Sequence, residues 1–367
     1  MIDQLRFYSG RAPPLEPVPL DKAHPGSRQG HRHPFMPEAV PSMMRLYIAT
    51  GTSVEVMQGM CDEAVRSRVI WVDLYEPSPQ EVRFVEDMLQ IDVPTREEIV
   101  EIEASSRLYE ENDAYFMTAT MLSRAESDSP KLAAVTFILV GQRLVTLRYA
   151  DPLPFRTAAS QIQRNPLAWN SGEVIFVGLL EVIVDRLADI LEVIGADLDA
   201  VSGEVFTTDA KEAARRAKDY RQLLARVGRA GDLIGKSRES LVSLGRLAAF
   251  VSVAFKAKDR KSLLTRIKTV SRDVLSLSDH ASFLTNKVTF SLDAILGLVS
   301  IEQNGIIKIF SVAAVVFLPP TLVASIYGMN FEVMPELGFT FGYPMALGLM
   351  ILSAIMPYLY FKQKGWL

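Results

Sequence analysis

Residues 325–339 read SIYGMNFEVMPELGF, and the rest of the chain is read outward from them. The stretch holds Gly328, Asn330, Pro335 and Gly338, two carboxylates, Glu332 and Glu336, and no Lys or Arg. Residues 309–331 on one side carry no charge, and neither do residues 337–361 on the other. A helix crossing the bilayer core needs about 20 mostly apolar residues. Both runs are long enough, and nothing else in the chain compares. The competing reading is a buried helical hairpin in a soluble protein. Core helices are rarely this long and this free of charge.

The basic residues orient the two spans. Lys308 precedes the first, Lys362 and Lys364 follow the second, and the connection has none. Cytoplasmic flanks collect Lys and Arg, so both ends are expected inside and GMNFEVMPELG outside. The N-terminus lacks an apolar segment behind a basic start, so no cleaved signal peptide is expected. The predicted location is the cell inner membrane, multi-pass, with cytoplasmic termini. Cys61 is the single cysteine, which excludes a disulfide framework. A net charge of −4 does not suggest a nucleic-acid binder.

No proline stands between Leu167 and Leu318. Apolar residues recur at helical spacing through VIFVGLLEVIVDRLADILEVIGADLDAVSGEVF, and further helices follow. The last begins near Ser262 and runs straight into the first span, interrupted only by Gly297 and Gly305, each tolerated at about 1 kcal/mol. Motion at the cytoplasmic end of such a helix reaches the membrane. The basic run KAKDRKSLLTRIK (Lys256–Lys268) reads as a solvated face; contact with anionic lipid or an acidic neighbouring subunit is the alternative. Upstream, MRLYIAT, RVIWVDL, AYFMTATML, KLAAVTFILV and RLVTLRYA predict strands. SPQEVRFVEDML opens a helix with Ser78, Pro79 and Glu81 in capping-box spacing, and PTREEIVEIE predicts another. Residues 1–42 are rich in Pro, Gly, Arg and His and read as a disordered extension; His24, His31 and His33 show no metal-ligand spacing.

Two helices cannot enclose a hydrophilic path, so a pore needs several copies around an axis. Asn304, Ile307, Ser311, Ala314, Leu318, Thr321, Ser325 and Gly328 alternate in spacing between three and four and form one seam. Its ends are polar and its middle is apolar, as in a pore closed by dewetting. Small residues along a span are equally what helix packing uses. Ile309, Val312, Val315, Val316 and Phe317 lie on other faces, suited to lipid or the second span. Pro319 and Pro320 predict a kink.

Tyr327–Leu337 (YGMNFEVMPEL) resembles the signature of the CorA family of magnesium channels. The resemblance extends through IEQNGIIKIFSVAAVVFLPPTLVASIYGMNF, FGYPMALGLMIL and PYLYFKQKGWL, and ASSRLYEENDAYFMTATM fits the family's cytoplasmic domain. It implies a funnel-shaped homopentamer: an α+β cytoplasmic domain, a long stalk helix and two transmembrane helices. Residues 1–42 form the extension, 43–165 the α+β domain, 166–261 cytoplasmic helices and 262–305 the stalk. Residues 306–327 form the pore-lining span, 328–338 the outer loop, 339–361 the second span and 362–367 a basic tail.

The same resemblance assigns the site. Gly328, Met329 and Asn330 form the selectivity filter, with Asn330 as a ring of amide oxygens that holds hydrated Mg2+ without stripping its shell. Gly328 lets the backbone approach the axis, and Met329 packs sideways to support the turn. Asn304 is the inner polar ring. Ile307 and Phe310 form the constriction; the seam prefers Ser311 to Phe310, and a small rotation decides between them. Ala314, Leu318 and Thr321 continue the wall. Apart from the resemblance, Glu332 and Glu336, in a loop without Lys or Arg, are expected to gather cations at the mouth; the alternative is two ordinary acids of an outer loop. Asp273 is a candidate regulatory ligand, with Glu101 or Glu103 as its partner, for Mg2+ that closes the pore from the cytoplasm.

The reading is Mg2+ influx down the electrochemical gradient, with Co2+ and Ni2+ also carried. Inward movement of a divalent ion gains about 4.6 kcal/mol per 100 mV, twice the value for one charge, and no nucleotide-binding GxxxxGK[ST] is present. A Zn2+ transporter of the same superfamily is the alternative, although that branch more often varies the middle residue of the triplet. A membrane-anchored sensor or scaffold without a pore is the third. With four His and one Cys, no enzyme is expected.

Overall fold

The computed structural model describes residues 44–365 except 52, 101–106, 128, 207–219, 258–259, 331 and 333, and the side chains of 100, 257 and 337 are likewise not described. The extension 1–42, its histidines, and Glu101 and Glu103 lie outside the described residues.

Seven strands form one sheet: β1 (Met44–Ala49), β2 (Val54–Gln58), β3 (Val69–Tyr75), β4 (Leu108–Glu111), β5 (Ala114–Ser123), β6 (Lys131–Val140) and β7 (Arg143–Arg148). Their order is β2-β1-β3-β7-β6-β5-β4. Among the described strands only β3 and β7 pair in parallel. The five apolar runs are β1, β3, β5, β6 and β7. The pattern missed β2 and β4, short edge strands with little buried surface of their own. A two-residue turn joins β4 to β5 with Asn112 and Asp113 at φ 49 and 60, the left-handed pair that fits a tight hairpin.

The helices are α1 (Glu63–Arg66), α2 (Pro79–Leu89), α3 (Arg96–Val100), α4 (Leu153–Arg164), α5 (Gly172–Phe206), α6 (Tyr220–Ala257), α7 (Lys261–Tyr327) and α8 (Gly342–Gln363). The capping box of α2 is formed: the Ser78 hydroxyl accepts from Glu81 N, and Glu81 Oε2 accepts from Ser78 N at 2.8 Å. Glu81 Oε1 also accepts from Met44 N at 3.2 Å, so one side chain caps α2 and ties it to β1.

The sheet has a core on each face. Tyr47, Trp71, Met117, Met121 and Phe137 face Phe155 of α4, Phe176 and Leu180 of α5 and Val251 of α6, and the same core continues between the helices to Ile267 of α7. Met44, Leu46, Val72, Phe116, Ile138 and Val145 face Phe84 and Val85 of α2 and Ile99 of α3. Alternation along each strand divides its residues between the two. Between β3 and β7, Asp73 and Arg148 form a buried bidentate ion pair, both bonds 2.9 Å, with side chains 2% and 1% exposed. Thr146 donates to Asp73, Trp71 donates to Thr146, and Arg148 lies over the rings of Tyr75 and Phe155. Burial works against the Arg148 charge, and the Asp73 carboxylate outweighs it, so the guanidinium pKa is raised. Burial, then Asp73, pushes the Tyr47 hydroxyl up to about 12.

Gly172 seats α5 on the sheet. Its amide donates to Gln142 O at 2.6 Å, and a Cβ there would lie 2.3 Å from Leu144 N. From this seat α5 runs beside α6 and α7. Val201, Val205, Leu223, Val227 and Ile295 make a third apolar cluster further along. Ion pairs stitch the helices: Arg226 to Asp197 and Glu204, and Lys287 to Asp199.

The basic run Lys256–Lys268 is not simply a solvated face. Arg266 makes a bidentate pair with Glu181 at 2.8 and 2.6 Å, and Arg260 lies 3.1 Å from Glu173. These pairs pin the start of α7 to α5. Lipid contact is also excluded by distance. At 1.5 Å per residue the part of the run on α7 stands roughly 60–70 Å from Lys308, where the apolar segment begins.

Candidate functional site

α7 spans 67 residues without interruption, past Gly297, Gly305, Pro319 and Pro320, a length of about 100 Å. Its most apolar stretch is unburied, and that of α8 is 6% buried. A soluble core hairpin would bury both. Apolar helices of this length left bare by their own chain belong in a bilayer.

α7 shows two opposed faces in this region. Val312, Val315, Val316, Pro319, Val323 and Tyr327 are half-buried. They recur at helical spacing and mark the face packed on α8. Asn304, Ile307, Phe310, Ser311, Ala314, Leu318, Thr321 and Ser325 are exposed, on the side left open by the chain. Ile309 and Phe317, grouped with the valines at first, are also exposed. Ser311 borders a groove between α7 and α8, together with Phe361. Phe310 is 72% exposed and does not border it. The Thr321 hydroxyl donates to Phe317 O at 2.7 Å, so its oxygen lone pairs point outward as acceptors.

α7 ends at Tyr327, and the triplet forms its cap. Gly328 N donates to Ala324 O at 2.9 Å, and Met329 N donates to Ile326 O at 3.2 Å. Gly328 has φ −88 and ψ 0, so glycine is not required by a left-handed backbone. Crowding favours it mildly: a Cβ would meet Ala324 O at 3.1 Å, which a shift of a few tenths of an ångström relieves. The Met329 side chain, expected to pack sideways, is about half exposed among the described residues, and its amide holds the turn. Asn330 is exposed just beyond the cap.

The loop then makes one 3-10 turn, Pro335–Gly338, before α8. Glu332 is exposed and Glu336 half-buried, and neither has an ion-pair partner among the described residues. Gly342 is the residue that sequence reasoning missed. Its backbone lies against the turn so closely that a Cβ would stand 2.4 Å from Glu336 O. A glycine at the start of a span was the only signal.

Asp273 is exposed on α7, within electrostatic reach of Asp185 on α5. Desolvation raises the Asp185 pKa, and repulsion by Glu181, Asp189 and Asp273 raises it further. Among the described residues, no group of three or more His, Cys, Asp or Glu is placed to hold a metal ion.

A sheet domain seated on a helical bundle, whose last helix becomes a bare apolar span followed by a second, defines a two-span membrane protein with a large extramembrane domain. Residues 66–363 match the family described as CorA-like Mg2+ transporter protein. The chain belongs to the CorA family, a family of transporters rather than enzymes. It is 39% identical over 298 residues to the magnesium transport protein CorA of Pasteurella multocida, covering 81% of this chain and 92% of that one. It is 38% identical over 308 residues to the Haemophilus influenzae protein of the same name, covering 83% and 95%. Its fold resembles the complete CorA magnesium transporter structure from Methanocaldococcus jannaschii, with TM-score 0.66, 17% identity, and 88% and 98% of the two chains covered. The full-length CmaX structure aligns with TM-score 0.60 and 12% identity, covering 89% and 99%.

Proposed function

We propose that this chain carries Mg2+ into the cell, as a homopentamer in the cell membrane with both termini cytoplasmic. The observation that carries the reading is the pair of opposed faces on α7: one packed on α8, the other open, polar at both ends and apolar between, and ending in Gly328-Met329-Asn330. The named relatives supply the ion.

Asn330 meets the hydrated ion at the mouth and Asn304 receives it at the inner end. Ile307, Phe310 and Leu318 close the path between, while Ala314 leaves room and Thr321 offers an acceptor. Ser311 and Ile307 both border the α7–α8 groove and Phe310 does not, which favours Phe310 over Ser311 as the residue nearer the axis and puts Ile307 at the edge of the constriction. Glu332 and Glu336 raise the local cation concentration. Co2+ and Ni2+ form similar hydrated ions and follow the same path.

Closure by cytoplasmic Mg2+ fits the acids near Asp273. Glu181, Asp189 and Asp273 each add to the cost of charging Asp185, after burial, and a divalent ion bound beside Asp185 and Asp273 would relieve it. Its remaining ligands would come from a neighbouring copy. When internal Mg2+ falls, repulsion returns and the ring loosens.

The test is divalent flux into liposomes holding the purified chain, with Mg2+ set on both sides and Zn2+ run in parallel. Mg2+ uptake that Asn330→Ala abolishes is expected. Uptake undiminished by Asn330→Ala sinks the filter assignment. Zn2+ flux without Mg2+ flux selects the zinc alternative, and no flux from monomers or dimers selects the scaffold.

A further inference from the structure

A groove of about 360 Å3 opens between the two spans, beside the open face of α7. Ile307, Lys308, Ser311, Val312 and Val315 of α7 and Phe361 of α8 line it. Its walls are hydrocarbon except for one hydroxyl and one ammonium. Lys308 is exposed and has no ion-pair partner among the described residues. Lys362 directly follows Phe361, and Lys364 stands two further on, both exposed. Glu302 is the nearest acid before the groove along α7, and no acid follows Glu336 on α8 or the tail.

Depth follows from the same residues. The uncharged run of α7 begins after Lys308, and that of α8 ends before Lys362. Lys308 and Phe361 border one groove, so the two ends lie at the same level. The mouth is therefore at the headgroups, with Val312 and Val315 below it in the hydrocarbon. Lysines near a helix end extend toward the interface.

We propose that this groove holds an anionic glycerophospholipid of the cytoplasmic leaflet. One acyl chain lies against Ile307, Val312, Val315 and Phe361, and the phosphate meets Lys308 and Lys362. A zwitterionic lipid fills the apolar part equally but brings a cation to the two ammonium groups. The proposal rests on the inward placement of both chain ends. A lipid here touches the flank of Ile307 and Ser311, so its presence bears on how firmly the constriction packs.

The experiment uses the full chain purified in mild detergent, stripped of lipid and exchanged against vesicles of phosphatidylcholine with or without phosphatidylglycerol. Native mass spectrometry then reads the retained lipid. The wild type is expected to keep phosphatidylglycerol in preference to phosphatidylcholine. Lys308→Gln should reduce that preference about fivefold, the effect of one cation at an anionic headgroup. Val315→Trp fills the groove and should lower retention of both lipids with the lysines intact. Lys364→Gln, which leaves the lining unchanged, should reduce the preference less than Lys308→Gln. If Val315→Trp fails to fold by circular dichroism, the contrast between Lys308→Gln and Lys364→Gln decides alone. Equal retention of the two lipids by the wild type, or equal effects of the two lysine changes, overturns the proposal. Mg2+ uptake is measured in the same vesicles. Uptake without lipid preference defeats only this proposal, and lipid preference without uptake defeats only the transport reading.

Discussion

The loop between the two spans is held by backbone contact, and a glycine series tests this. A Cβ at Gly342 would stand 2.4 Å from Glu336 O, whereas a carbon approaches a carbonyl oxygen at about 3.3–3.6 Å. Gly342→Ala therefore forces roughly 1 Å of movement between α8 and the turn Pro335–Gly338. Both partners are backbone, so no side chain can swing aside. Overpacking of this kind costs about 1–3 kcal/mol, a shift of about five- to 150-fold in the occupancy of the native loop. Gly328→Ala meets Ala324 O at 3.1 Å and needs only a few tenths of an ångström. Gly338→Ala meets nothing within 4 Å. In liposome flux assays, loss of Mg2+ uptake should rank Gly342→Ala above Gly328→Ala above Gly338→Ala. Thermal unfolding of the purified protein should change little across the series, because the sheet and bundle lie elsewhere. Wild-type uptake by Gly342→Ala, or equal loss from Gly338→Ala, refutes the reasoning.

Asp73→Ala should strand the buried Arg148 charge and cost about 3–5 kcal/mol of stability, read as a large fall in melting temperature; Asp151→Ala, which removes a partly exposed partner of the same arginine, should cost under about 1 kcal/mol. Asp185→Asn should raise the melting temperature at neutral pH in chelator. The Asp185 pKa is raised in the fold, so the folded state takes up the proton first as pH falls. The penalty is present above the folded pKa, and the advantage of the variant should fade as pH drops toward the ordinary carboxylate value of 3.8. Glu332→Gln with Glu336→Gln should slow uptake severalfold at low ionic strength and little near 1 M salt, where screening shortens to about 3 Å; a defect independent of salt would assign these acids to shaping the loop.

What could be read from the chain alone is what repeats locally or sits within a turn or two. The two uncharged runs announce spans because a bilayer sets a length and a charge limit. β1, β3, β5, β6 and β7 show as mostly apolar runs because both faces are buried, and the few polar residues inside them are paired, as Asp73 and Arg148 are. Ser78, Pro79 and Glu81 showed the start of α2 because a cap is a contact within four residues. The family signature was likewise contiguous, in Tyr327–Leu337.

Tertiary structure decided what depends on residues far apart in the chain. Asp73 and Arg148 are 75 residues apart, yet they form the buried charge pair of the sheet. Arg260 and Arg266 looked like free surface charge until α5 brought Glu173 and Glu181 beside them. Asp273 gained meaning only with Asp185 in reach. Gly172 and Gly342 read as ordinary glycines, and only the fold places another backbone where their side chains would be. Composition and period determine which segments cross the membrane and which build the sheet, because those properties are set residue by residue against solvent. Which charges pair, which glycines are required and which face of α7 is left open follow from packing one segment on another.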